Sequence, residues 1–205
     1  KLESIPGLRV GHDSREEHPA PRPPCRDPMT AVDRADGYLG LARPLAALAR
    51  TEIRVLRGEV VDVDGLQIVG IGFPEHDRQG EAVEEARRVG EAIDPDRPSI
   101  LLYHTPTNVG TSGGDRAEQQ VRTYWRPDVD FSYARDHGID LQLSGHTHAG
   151  QFWPFTILTR WIWRGFDSGL NRVGKLSIYT SSGTGTWGPP LRSGCRSEIV
   201  AITLR

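Results

Sequence analysis

Two short apolar runs set the frame of the chain. Ser99-Ile-Leu-Leu-Tyr103 and Ile139-Asp-Leu-Gln-Leu143 have the length of buried strands. Between them lies a Gly-, Thr- and Arg-rich stretch, then Pro127 to His137, whose pattern predicts a helix with Phe131 and Ala134 inward and Gly138 at the left-handed position past its end. Strand, loop, helix and strand in that order form a crossover that joins parallel strands of a helix-covered sheet. Upstream, Ile53 to Leu56, Val60 to Val63 and Leu66 to Ile71 read as strands, and Asp64-Gly65 makes a β-hairpin of the last two. Residues 81 to 93 put Ala82, Val83, Ala86, Val89 and Ile93 on one face of an amphipathic helix, supported by Glu84 and Arg88 and ended by Asp94-Pro95. A shorter helix starts near Pro44 and buries Leu45 and Leu48. Lys175 to Thr180 and Ser197 to Leu204 are the closing strands, and the pattern as a whole predicts an α/β fold.

Residues 1 to 36 lack any hydrophobic period, and their prolines oppose helix and central strand alike. We therefore expect an irregular segment over 1–36 and one folded domain over 37–205. With 37% hydrophobic residues, 25% charged and a net charge of -2, the chain has an ordinary globular composition. Its 25 basic residues are offset by 27 acidic ones, so no nucleic-acid partner is implied. Cys25 and Cys195 are too few to fix a redox compartment. No run of 18 apolar residues marks a spanning helix.

Chemistry concentrates in Leu141-Gln-Leu-Ser-Gly-His-Thr-His-Ala-Gly-Gln151. In an extended backbone positions i and i+2 share a side, so His146 and His148 are expected to face one cleft. His104 and His146 both fall just beyond the carboxyl ends of predicted strands, the edge where open α/β sheets place their sites. Two metal ions about 3.5–4 Å apart take neighbouring but distinct ligands, and a His-x-His loop suits that need. The plainer reading, polar loop residues, stands beside the metal one. His137 is explained by its place at a helix end. Ser144 lies in Leu-Ser-Gly-His and not in a nucleophile elbow. Residues 152 to 166 allow two accounts: a helix and loop packed over the sheet, or a membrane-surface or lipid-substrate rim using Trp153, Trp161 and Trp163 beside Arg160 and Arg164. The glycine-rich Ser181 to Pro190 loop, with Arg192 or Arg196, suits phosphate contact or a plain turn.

Together, Tyr103-His-Thr-Pro106, the Leu141 to Gln151 string, Gly183 to Arg192 and Glu198 to Leu204 resemble the calcineurin-like metallophosphoesterase family, over about residues 44 to 205. The resemblance implies a layered β-sheet sandwich flanked by helices, with two metals at the sheet rim. By it His104 and His146 would bind the second metal and His148 the first, while Arg192 of the glycine-rich loop is the candidate for substrate contact. It implies hydrolysis of phosphomono- or diesters by a water that the metal pair activates; a mixed nitrogen and oxygen ligand set points to Mn, Fe or Zn as the ions, and a cytoplasmic or membrane-peripheral placement is expected.

The family's Asp-x-His, bridging Gly-Asp and Gly-Asn-His motifs would precede the hairpin. No Asp-x-His occurs in the chain, Gly114-Asp115 follows no strand, and Gly11-His12-Asp13 has lost the Asn and sits in a proline-rich setting. Three neutral imidazoles offer no anionic bridge between two ions. The expectation therefore divides between a domain incomplete at its N-terminus and a degenerate, noncatalytic module that binds one metal or none.

Overall fold

The computed structural model describes residues 10–11, 47–73, 79–110 and 125–204. Two compact units are distinguished: one comprises 56–205 with the first residues of the chain, the other 13–55, of which 47–55 are described. The expected boundary at residue 37 and the start of the helix at Pro44 lie outside the described residues, as do Gly114-Asp115 and most of 1–36. Within that stretch, of which most is expected to be irregular, β1 (Val10–Gly11) pairs with β8 (Ala201–Ile202).

A six-stranded sheet carries the larger unit, in the order β2 (Glu59–Val63), β3 (Leu66–Gly70), β4 (Ser99–Leu102), β5 (Leu141–Ser144), β7 (Leu176–Thr180) and β6 (Gly169–Val173). The first and last pairs are antiparallel hairpins, and β3, β4, β5 and β7 run parallel. The fold is thus the expected α/β class, a sheet flanked by helices. Asp64 and Gly65 both have positive φ, 51° and 91°, which places Val63 opposite Leu66 across a two-residue turn.

Helices cover one face. Ala86, Val89 and Ile93, on and just past α1 (Gln79–Glu91), pack with Phe131 and Ala134 against Val69, Leu101 and Ile178. Val83, expected inward, is exposed. Arg87 rather than Arg88 makes the helix-face ion pairs, with Glu84 and Glu91, because Arg88 donates to the Gly58 carbonyl at 3.3 Å. The opposite face buries Ile100, Leu141 and Tyr179 under Val200, Ile202 and Leu204 of the C-terminal segment, giving a second layer.

Four local expectations need correction, the first being the closing strand Ser197 to Leu204, of which only Ala201–Ile202 pairs. Ile53 to Leu56 is not a strand: a β-branched run without a ladder leaves its backbone to water, and Ile53 is exposed. The helix expected over 127–137 shortens to α2 (Ser132–Asp136), because Phe131, fully buried, adopts a left-handed φ of 56°. Asn108 then replaces a local cap, accepting from the Tyr133 amide at 2.8 Å and donating to Ser132 Oγ at 2.8 Å. Finally, no residue of α3 (Phe155–Ile162) is buried, so this helix stands off the sheet. Trp163, just past it, is 3% exposed and sits against His146, which removes it from any membrane contact; Trp153 and Trp161 remain 70% and 77% exposed.

Leu101 lies at the centre of the helix-covered core with no exposure. Leu101→Ala should lower unfolding stability by about 2–5 kcal/mol, read from urea denaturation; a loss under about 1 kcal/mol would contradict that packing.

Candidate functional site

The site grows from the ends of two adjacent parallel strands. β4 and β5 pair Leu102 with Leu143, and the ladder continues past both strands: the Tyr103 amide donates to the Leu143 carbonyl at 3.1 Å and the Gly145 amide to the His104 carbonyl at 3.0 Å. His104 and His146 thereby meet, His104 Nε2 lying 2.9 Å from His146 Nδ1. His148 lines the same cavity. The three rings expected at one rim are together.

The route to that convergence differs from the expected one. Residues 146–151 are not extended: His146, His148, Ala149 and Gln151 all have positive φ, from 48° to 72°, and His148–Gly150 is a single 3₁₀ turn. Such backbone is costly for residues with a Cβ and gathers at functional sites. Gly150, at φ 74°, is required: a Cβ there would lie 2.7 Å from the Phe155 carbonyl oxygen and the Thr156 Cα.

Buried polar side chains hold the loops in register. Gln142 donates to the Thr105 and Thr107 carbonyls at 3.2 Å, and Ser144 Oγ to the Thr105 carbonyl at 2.9 Å, fixing the chain that follows His104. Gln151, 2% exposed, accepts from the Trp187 amide at 2.7 Å and donates to the Trp187 and Pro189 carbonyls at 2.9 and 3.3 Å. Neither glutamine was singled out by the sequence; an amide inside an apolar run, as at Gln142, was the available signal. Arg192 donates to the Ser182 carbonyl at 2.7 Å and to the Gly185 carbonyl, and its Nη2 lies 3.4 Å from His148 Nδ1. It thus folds the glycine-rich loop against the histidines. Cys195 donates to the His148 carbonyl at 3.1 Å.

Aromatic rings enclose His146: Phe73 stacks at 6.3 Å and Trp163 meets it edge-on at 5.8 Å. Burial, with the His104 and His148 rings adding to it, pushes the His146 pKa down to about 4. Burial and then the Arg192 charge lower that of His148. Both shifts favour the neutral imidazole, the form in which histidine serves as a metal ligand. His137 lies apart, its Nδ1 2.8 Å from the Tyr133 carbonyl oxygen beyond the end of α2.

Curated relatives share most of this chain. A metallophosphoesterase of Helicobacter pylori strain J99 is 30% identical over 167 residues, 82% of this chain and 40% of that protein. One from Campylobacter jejuni is 32% identical over 178 residues, 85% of this chain and 41% of that protein. The chain belongs to the calcineurin-like metallophosphoesterase family. A transmembrane protein with a metallophosphoesterase domain from Danio rerio is 34% identical over 169 residues, 78% of this chain and 32% of its own. The chain therefore spans about 40% of the length of the first two relatives. No family model and no solved structure matches it.

Metallophosphoesterases use divalent metal, and the donor set fits that use in part. The contact between His104 and His146 suits two nitrogens on one ion. Among the described residues, however, no group of three or more His, Cys, Asp or Glu is arranged to hold a metal. A carboxylate bridge for a second ion has to come from outside them.

Gln151→Leu keeps side-chain volume but leaves the Trp187 amide and two carbonyls unpaired. It should cost about 1–3 kcal/mol and speed hydrogen exchange at the Trp187 amide; unchanged protection there would remove the clamp.

Proposed function

We propose that the protein is a metal-dependent phosphoesterase acting on phosphomono- or diesters, with His104, His146 and His148 as metal ligands and Arg192 on the substrate side. The reading is carried by the 2.9 Å contact of His104 with His146 at adjacent strand ends, with His148 on the same cavity. Two divalent ions, Mn, Fe or Zn, supply Lewis acidity toward phosphoryl oxygen and an activated water when bound. The chain's own part is to orient: the β4 and β5 ladder aims two imidazoles, Gln142 and Ser144 fix the loop after His104, and Arg192 brings positive charge beside His148.

Exposed Trp153 and Trp161, with Arg160 and Arg164 on the same segment, support a membrane-peripheral placement. The Danio rerio relative named as a transmembrane protein agrees with a bilayer setting. No helix among the described residues is long and apolar enough to cross a membrane.

A second reading, a noncatalytic module that holds one ion or none, is favoured by the missing carboxylate among the described residues. Hydrolysis of bis(4-nitrophenyl) phosphate and 4-nitrophenyl phosphate with added Mn²⁺ separates the two. The catalytic reading expects metal-dependent turnover, two ions per chain by metal analysis, and a loss of at least about 100-fold in kcat/KM for His146→Ala, on the scale of removing one preorganised electrostatic group. A rate equal to the metal-free blank with a single bound ion selects the second reading.

A further inference from the structure

The three histidines line a cavity of about 680 Å³, a volume suited to a medium-sized ligand. Most of its remaining wall is apolar, with Phe152, Phe155, Leu158, Ile162, Trp163 and Trp187, and its polar side chains beyond the histidines are Thr147, Gln151 and Thr159. No Asp, Glu, Lys or Arg side chain lines it among the described residues. The polar groups beyond the histidines are few, and Gln151 already spends its amide on the Trp187 and Pro189 backbone. One face of α3 supplies Phe155, Leu158, Thr159 and Ile162 to this wall, the i, i+3, i+4 and i+7 positions of a helix. Ile157 and Trp161 are not part of it and are exposed. A helix without a buried residue keeps apolar side chains over a polar centre only at a cost in hydration, which a hydrocarbon ligand would relieve.

We infer that the ligand of this site is a phosphoester bearing a long hydrocarbon substituent, its phosphoryl group at His104, His146 and His148 and its chain along Phe155, Leu158 and Ile162. The inference rests on the phosphoesterase reading and names its substrate class. A nucleoside or sugar substituent would find aromatic rings to stack on but no charged or unspent amide group to pair with. A hydrocarbon chain needs neither.

The test titrates the chain, with Mn²⁺ present, with methyl, hexyl and dodecyl phosphate kept below micelle-forming concentration, following tryptophan fluorescence. Affinity should rise roughly fourfold per added methylene from hexyl to dodecyl, the gain of moving a CH₂ out of water. Leu158→Asp should weaken dodecyl phosphate at least about tenfold, while Ile157→Asp, on the outer side of the same helix, should not; circular dichroism verifies that both variants fold. Equal affinity for all three chain lengths, equal effects of the two variants, or tighter binding of a nucleoside phosphodiester than of dodecyl phosphate would each overturn the assignment. The small chromogenic diester keeps the two readings apart. Its metal-dependent hydrolysis without a chain-length gain sinks the substrate class alone. A chain-length gain without hydrolysis of any phosphoester sinks the catalytic reading and with it the claim that the amphiphile is a substrate.

Discussion

The parallel pairing of β4 with β5 is the constraint from which the site follows. Side chains alternate faces along a strand, so a slip of one residue would send His104 and His146 to opposite sides. The register is held by apolar burial on both faces: Leu101 is sealed under the helices, while Ile100 and Leu141 are sealed under the C-terminal segment. Hydrogen bonds from Tyr103 to Leu143 and from Gly145 to His104 extend the ladder to the histidines themselves. The meeting of the two rings is therefore a property of the core.

What the sequence disclosed divides along a physical line. The Asp64-Gly65 hairpin, the helix carrying Ala86 and Val89 and the two buried strands were legible because local chemistry and periodicity agree there. The outer strand β6 was not read at all. Its partly buried residues give little contrast, and its pairing is made visible by the Gly174-Lys175 turn, with Gly174 at φ 61°. Ile53 to Leu56 misled for the opposite reason, since β-branched composition cannot say whether a neighbouring strand offers a free edge. The shortened α2 depended on Asn108, a capping group 25 residues from the amide it satisfies. No local window contains that information.

At the site, the histidines were legible and the cause of their convergence was not. An extended His-x-His would have aimed two rings by simple alternation. The loop instead takes four residues through left-handed backbone, each costing of order 1–3 kcal/mol, and recovers it through the Gln151 clamp, the Gly150 contact with α3 and the Cys195 bond to His148. Arg192 contributes to the same fastening, because its guanidinium ties Ser182 and Gly185 together before it reaches His148. Strain is sustained where several groups over-determine a conformation, and here they come from both sides of the loop.

The basicity of His146 and the apolar wall have a common origin. Phe73 and Trp163 flank the imidazole and withdraw it from water, which holds the ring neutral. Trp163 also begins the wall that continues along α3, so the ring that shields the imidazole from water is shared with the apolar lining beside it. A hydrated ligand entering there would exchange water for hydrocarbon without new hydrogen bonds, whereas an apolar one would lose only its unfavourable hydration. Electrostatics at the histidines and selectivity along the helix are thus two consequences of one packing decision, the burial of Trp163 beneath an otherwise exposed helix end.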